Sequence, residues 1–339
     1  MFSHHSHSGD YISHGVDTLD AIVEEVQRRG FHTYCLTEHM PRLEETLLYP
    51  EERTTDSLND LKRLRLQFQK YLEHSQRIKK QIVDVNLIVG MEVEGCNSKH
   101  IGYARDLMDQ HKEVLKFCVG SIHHVNDIPI DYNQALWFAA LESSGNNLRK
   151  FLLDYFELQY DMLKTLKPKV VGHFDLIRLF MPEDGMFVDK STGEVAFSAT
   201  KDDLDLGTWT RVMDISPSLI SIWSDVEAVV IRNIAFINSY KGLIEINSSG
   251  IRKGLVEPYP HRDVANLVKK YANSRFVLSD DAHSVAQVGV AYNKTLQYIE
   301  HVLQLQGIYY LSEIHNGAEL DVKYMSLGEI KANSFWKSN

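Results

Sequence analysis

Nine side chains with metal-binding chemistry occupy similar places in the sequence, in or just after the loops that follow short apolar runs. They are His5, His7, His14, His39, Glu92, His123, His173, Asp281 and His283. A single histidine is more often an ordinary core or surface residue than a ligand, but nine such groups placed alike indicate a metal centre. Imidazole and carboxylate in this mixture suit zinc, iron and manganese. The spacing of His5 and His7 also puts both rings on one face of an extended segment.

The apolar runs themselves predict buried strands. They cover residues 31–36, 86–91, 117–122, 169–172, 243–246 and 275–278, with a very short seventh run at 1–4. Continuous rather than alternating hydrophobicity is typical of parallel strands that are buried on both faces and covered by helices.

Helical patterns fill most of the gaps between these strands, at 18–29, 57–81, 147–166, 217–240, 261–272 and 294–305. Asp17 is expected to cap the first helix and Gly30 to end it. The repeated alternation predicts an α/β fold, a (β/α) barrel with seven strands, in a single domain of residues 1–339. The segment 181–213 is acidic and rich in turn residues, which indicates an insertion. Because residues just past the strand ends of such a barrel converge on one face, the nine candidate ligands are expected to share one site.

Composition excludes several classes of protein. The chain has 339 residues and a net charge of −10, and an acidic surface disfavours binding to nucleic acid. No apolar run approaches the 18 residues that a membrane span needs, and the N-terminus has no pattern of a signal peptide. The three cysteines (Cys35, Cys96 and Cys118) show no pair spacing, which favours a reducing compartment and a cytoplasmic protein.

The segments that carry the ligands resemble the motifs of the PHP (polymerase and histidinol phosphatase) superfamily. The resemblance covers residues 1 to about 292 and rests on 5–15, 37–39, 90–94, 120–123, 172–175 and 279–284. Within that superfamily the chain is similar to the stand-alone histidinol-phosphatases, through residues 172–178 and 245–254. The resemblance implies a distorted seven-stranded barrel that holds three divalent metal ions (zinc, iron or manganese) at the C-terminal ends of its strands.

The resemblance also implies a role for each candidate residue. One metal would be held by His5, His7, Glu92 and Asp281, a second by Glu92, His123 and His173, and a third by His14, His39 and His283. Arg178 and Arg252 would bind the phosphate of the substrate. The expected catalytic residues are Glu92, which joins two of the metal sets, and Asp281 and His283, which are near enough to be candidates for protonating the leaving group.

The implied activity is hydrolysis of L-histidinol phosphate, a small-molecule phosphomonoester. The main alternative is a PHP phosphoesterase that acts on another small phosphomonoester or a nucleotide; the acidic balance and the loops of Arg178 and Arg252 count against it. A non-catalytic PHP domain is disfavoured by the complete ligand set. A deaminase of the amidohydrolase type would bring a bridging lysine where this chain has Glu92. The identity of the metal, the general acid, the residues that bind the imidazole and amino groups, and the oligomeric state stay open.

Overall fold

The computed structural model describes residues 1–182, 184–197, 207–314 and 319–337. Within these ranges, fourteen strands are distributed over one large sheet and two small ones. They are β1 (Phe2–Ser3), β2 (Thr33–Leu36), β3 (Asn86–Glu94), β4 (Phe117–Ser121), β5 (His124–Val125), β6 (Ile128–Pro129), β7 (Val170–Val171), β8 (Met186–Asp189), β9 (Val195–Phe197), β10 (Trp209–Arg211), β11 (Leu243–Asn247), β12 (Phe276–Ser279), β13 (Gly307–Ile314) and β14 (Glu319–Ser326).

The large sheet contains nine strands in the order β1-β2-β3-β4-β7-β11-β12-β13-β14. All neighbours are parallel except β13 and β14, which form an antiparallel hairpin at one edge. The sheet curls so that the chain after β1 returns to the chain after β12, where His7 N donates to Ala282 O at 2.8 Å and Asp281 N to His5 O at 3.0 Å. The fold is therefore α/β with a curled sheet. It differs from the predicted seven-stranded barrel because the β13–β14 hairpin extends the sheet to nine strands.

Eleven α-helices lie within the described residues. They are α1 (Leu19–Arg28), α2 (Ser57–Gln81), α3 (Ser98–Gln110), α4 (Gln134–Ser143), α5 (Leu148–Leu166), α6 (Val212–Ile215), α7 (Ser224–Ser239), α8 (Ser249–Arg252), α9 (Arg262–Tyr271), α10 (Tyr292–Gln297) and α11 (Leu327–Ala332). The N-cap of α1 is Thr18, whose hydroxyl accepts from Ala21 N, so the prediction that Asp17 caps this helix was wrong. Asp17 instead accepts a hydrogen bond from Val285 N. None of these helices is long and apolar enough to cross a membrane.

Two apolar layers hold the ligand-bearing ends of the strands in place. The larger layer joins one face of the sheet to the helices, with Tyr34 and Leu36 of β2 among its members. The smaller layer comes from the other face and contains residues of the strands alone: Cys35, Ile88, Phe117, Val119, Val170, Leu243, Val277 and Leu311. Successive residues of a strand face opposite sides of a sheet, so the smaller layer fills the concave side. The site is built above this packed interior.

The predicted insertion at 181–213 coincides with a separate antiparallel sheet in the order β10-β8-β9. Residues 183 and 198–206 of that segment lie outside the described residues. The sheet is joined to α5, where Leu148 N donates to Gly193 O at 2.7 Å.

Candidate metal centre and active site

Glu92 lies at the centre of the predicted site, on β3, and its side chain is 1% exposed. Its two carboxylate oxygens are surrounded by five imidazole nitrogens at 3.0–3.3 Å. Oε2 faces His5, His7 and His39, and Oε1 faces His123 and His173. The five histidines follow four different strands (β1, β2, β4 and β7), whose C-terminal ends the parallel arrangement brings together.

The charges and hydrogen bonds of this cluster fit divalent cations. Burial would raise the pKa of Glu92, but the imidazoles of His5, His39 and His123 outweigh it and hold that pKa well below its usual range. Nε2 of His5 and Nε2 of His7 are buried and face Oε2 of Glu92 without the geometry of a hydrogen bond. Nδ1 of His39 is shared between Glu92 and Glu94, and it lies 2.6 Å from Oε1 of Glu94. One carboxylate cannot satisfy five imidazoles, and buried polar atoms without partners are costly. Metal ions would bind these nitrogens and balance the carboxylate.

Three overlapping groups of ligand atoms occur here, and within each group the atoms lie within 4.8 Å of one another. The groups are His5, His7 and Glu92; Glu92, His123 and His173; and His7, His39 and His283. His14 lies just outside them, with its ring centroid 5.3 Å from that of His39 and 5.0 Å from that of His283. The structure thus brings all of the predicted histidines to one place, with His14 at the margin.

Asp281 completes the cluster from the loop after β12. Its Oδ1 lies 3.8 Å from Nε2 of His5 and 3.5 Å from Nε2 of His7. Its φ of 50° is in the left-handed region, an unusual conformation for aspartate that the surrounding structure must stabilise. Two contacts do so: Asp281 N donates to His5 O, and Ser249 Oγ donates to Oδ2 at 2.9 Å.

A set of outer carboxylates orients the histidines, and the sequence analysis missed them. Nδ1 of His5 lies 3.1 Å from Oε1 of Glu245, and Nδ1 of His123 lies 3.1 Å from Oδ2 of Asp131. A carboxylate on the far nitrogen fixes the tautomer and the direction of a ligating imidazole. Glu245 was detectable, because it is an acidic residue between Ile244 and Ile246 in the middle of a buried strand.

Glu94, two residues along β3 from Glu92, forms a further buried group with Cys96 and His124. Nη1 of Arg42 lies 2.8 Å from Oε2 of Glu94, and the Arg42 side chain is 2% exposed. The guanidinium already balances the charge of Glu94, so this group does not require a metal. His124, which the sequence analysis left out of the ligand set, stacks on Tyr49 at 6.0 Å.

A cavity of about 310 Å³ opens above the cluster. Glu92, His14, His39, His123, His173, Asp281 and His283 line it, together with Arg252 and Lys253. Arg252 donates from Nη2 to the main-chain oxygen of Asp281 at 2.9 Å, while its Nε is buried and has no partner among the described residues. A guanidinium with an unused donor beside the metal ligands suits a phosphate oxygen.

Arg178, which the sequence predicts to bind phosphate, lies outside this cavity. Its side chain is 5% exposed and does not line the cavity. Nε donates to Asp175 at 2.9 Å, Nη2 to Asp263 at 2.7 Å and Nη1 to Ser216 O at 3.1 Å. Because Nε, Nη1 and Nη2 all donate hydrogen bonds, the guanidinium links the chain segments that contain Asp175, Ser216 and Asp263.

Comparison with known proteins shows the family of this chain. The family model described as PHP domain matches residues 3–249. The histidinol-phosphatase of Saccharomyces cerevisiae is 47% identical over 99% of this chain and 99% of its own length.

Two solved structures share the fold. A "putative histidinol phosphatase" from Listeria monocytogenes covers 87% of this chain and 99% of its own, with a TM-score of 0.61 and 19% identity. The histidinol phosphate phosphatase of Lactococcus lactis, solved with zinc, L-histidinol and phosphate, covers 94% of this chain and 98% of its own, with a TM-score of 0.54 and 12% identity.

The curled sheet with histidine and carboxylate ligands at its strand ends defines a metal-binding α/β protein. This chain belongs to the PHP domain family and, within it, to the histidinol-phosphatases.

Proposed function

We propose that this chain hydrolyses L-histidinol phosphate to L-histidinol and phosphate, a step of histidine biosynthesis. The observation that carries the proposal is the cavity in which the guanidinium of Arg252 lies beside the ligands clustered on Glu92. A cation cluster and a fixed guanidinium together suit a phosphomonoester dianion. The relative from Saccharomyces cerevisiae is a histidinol-phosphatase, which supports L-histidinol phosphate as the ester.

The proposal includes three divalent ions, of zinc, iron or manganese. His5, His7, Glu92 and Asp281 would hold the first, Glu92, His123 and His173 the second, and His14, His39 and His283 the third. When bound, such ions supply an activated water nucleophile and positive charge for the phosphoryl oxygens. Three overlapping groups of ligand atoms support this number.

The protein's own residues position the ester. Arg252 is held by the main chain of Asp281 and keeps Nε for a phosphate oxygen. Lys253, whose Nζ lies 4.0 Å from Oδ2 of Asp281, adds a second positive charge beside Arg252 in the cavity. Glu92 joins two metal sets, and Asp281 and His283 are our candidates for the group that protonates the leaving oxygen. Glu245 and Asp131 hold the ligand imidazoles in place.

We also infer the architecture and setting that go with this activity. The seven parallel strands from β1 to β12 would form a distorted barrel within a single domain of residues 1–339, with the insertion at 181–213. Cys35, Cys96 and Cys118 are buried free thiols, which supports a reducing compartment such as the cytoplasm.

The test is phosphate release from a panel of esters by metal-analysed protein. L-Histidinol phosphate should be hydrolysed with a kcat/KM far above those of nucleoside monophosphates, phenyl phosphate and single-stranded DNA ends. If a nucleotide or an oligonucleotide is hydrolysed faster, the chain is a PHP phosphoesterase with a different substrate.

A further inference from the structure

One part of the cavity wall is acidic and aromatic, in contrast to the part formed by Arg252 and Lys253. It consists of Tyr49, Glu51, Asp131 and Tyr132, which we call the acidic wall. The rings of Tyr49 and Tyr132 stack with their centroids 5.5 Å apart and their planes at 18°. Glu51 lies beside Tyr132, and its carboxylate raises the pKa of the tyrosine hydroxyl. Asp131 precedes Tyr132 in the chain and lines the same cavity, so the four side chains border one side of it.

Asp131 forms the deep end of the acidic wall. Its Oδ2 accepts from Nδ1 of His123 at 3.1 Å, so it lies one imidazole away from Glu92. Its Oδ1 is buried, and no described residue donates to it. Leaving a carboxylate oxygen buried without a donor is costly. A ligand that donates a charged N–H would remove that cost.

Glu51 and Tyr132 form the outer end. Glu51 is exposed and forms no ion pair with any lysine or arginine of the described residues. The ring of Tyr132 is 38% exposed, whereas Tyr49 is 7% exposed and is covered by Arg42, whose Cζ lies 4.3 Å from the ring centroid. Tyr132 therefore presents the accessible aromatic surface, next to an uncompensated carboxylate. Such a pair suits a flat cationic ring.

We propose that the acidic wall binds the cationic end of the substrate, with Asp131 taking the ammonium group and Glu51 with Tyr132 taking the imidazole. This assignment rests on the proposed function. In L-histidinol phosphate the amino group is on the carbon next to the phosphorylated one, and the imidazole lies farther along the chain. A phosphate held at the metals and Arg252 thus places the ammonium deep and the imidazole outward, the same order as Asp131 and Glu51.

The experiment measures kcat/KM for L-histidinol phosphate, phosphoethanolamine and phenyl phosphate in the metal-loaded protein and its variants. Phosphoethanolamine has the ammonium group without the imidazole, and phenyl phosphate has neither. In E51Q and Y132L, kcat/KM for L-histidinol phosphate should fall relative to kcat/KM for phosphoethanolamine. The fall should be about two- to fivefold for E51Q, because its carboxylate is exposed.

In D131N, kcat/KM for phosphoethanolamine should fall relative to kcat/KM for phenyl phosphate, by about tenfold or more. E45Q removes an exposed carboxylate outside the cavity and should change neither ratio.

Inhibition separates binding by the acidic wall from an indirect effect on the metals. L-Histidinol should inhibit E51Q and Y132L more weakly than the parent protein, while inorganic phosphate, which needs only the metals and Arg252, should inhibit all three alike. If E51Q and Y132L leave both ratios and L-histidinol inhibition unchanged, the assignment is overturned. A parent protein that does not prefer L-histidinol phosphate to phenyl phosphate contradicts the proposed function instead. If every variant of the acidic wall still prefers L-histidinol phosphate to the other esters, the proposed function holds, but the acidic wall does not bind the substrate.

Discussion

Arg252 and Asp281, a candidate metal ligand, are joined directly: Nη2 of the arginine donates to the main-chain oxygen of the aspartate at 2.9 Å. The same peptide segment carries Asp281 in its left-handed conformation. The proposed phosphate-binding residue at the end of α8 is therefore held by the loop after β12 that carries a candidate metal ligand, so a change in that loop should affect both. Nδ1 of His283, another candidate ligand, is also 2.9 Å from the main-chain oxygen of Asp281.

Replacing Arg252 by alanine should lower kcat/KM for L-histidinol phosphate by about ten- to a hundredfold, since a charge-assisted hydrogen bond is worth about 1.5–3 kcal/mol. Lysine should restore only part of this, because it offers a point charge instead of a planar fork. Inhibition by phosphate should weaken in parallel, and metal content should stay near that of the parent. R105A, which removes an exposed arginine that does not line the cavity, is the matched control. Loss of a metal from R252A, or unchanged kinetics, contradicts the phosphate role.

Replacing Arg178 by alanine should instead destabilise the fold. The change leaves Asp175 and Asp263 buried without their cation, and breaking a buried ion pair costs about 3–5 kcal/mol. Thermal or denaturant unfolding of R178A and R178K measures this, and lysine should recover only part of the loss because it cannot reach all three acceptors. If R178K keeps its stability and loses phosphate inhibition, the sequence-based assignment to the substrate is right after all.

Replacing Glu245 by glutamine should weaken metal binding while leaving the strand intact. The carboxylate accepts from His5 and from the main chain of His173, and glutamine keeps an acceptor but loses the charge that fixes the imidazole. Loss of such an outer partner typically reduces metal affinity by about ten- to a hundredfold. Competition with a chelator measures the affinity. E300Q, which removes a surface carboxylate paired with Lys331, serves as the control. Equal metal affinity in E245Q and the parent protein would show that Glu245 does not contribute to metal binding.

The sequence was most informative where one local rule decides the outcome. Continuous apolar runs that end in His, Glu or Asp predicted that the candidate ligands lie close together, because parallel strands place their C-terminal ends on one face. The helix at 57–81 was predicted with the bounds of α2, since Asp56 caps it and its apolar residues recur at helical spacing.

Other features depend on partners that are distant in sequence. Arg178 is 85 residues from Asp263, and nothing in the local pattern indicates that this carboxylate engages it. The β13–β14 hairpin has mixed exposed and buried positions, so it lacks the continuous apolar pattern of the other strands. Helix α4 was missed because its sequence is apolar almost all round and shows no amphipathic period, and α3 because polar residues and Gly102 interrupt it.

We expect the histidines around Glu92 to bind metal ions that the reaction requires. The most direct test is metal analysis of protein purified without chelator, coupled to activity before and after EDTA treatment. We expect about three divalent ions per chain, loss of turnover on chelation and recovery on adding metal, because imidazole and carboxylate ligands of this kind bind zinc, iron or manganese. The double variant H5A/H7A should lose the first metal and nearly all turnover, with its circular dichroism unchanged. Full activity in a preparation shown to contain no metal would contradict the account.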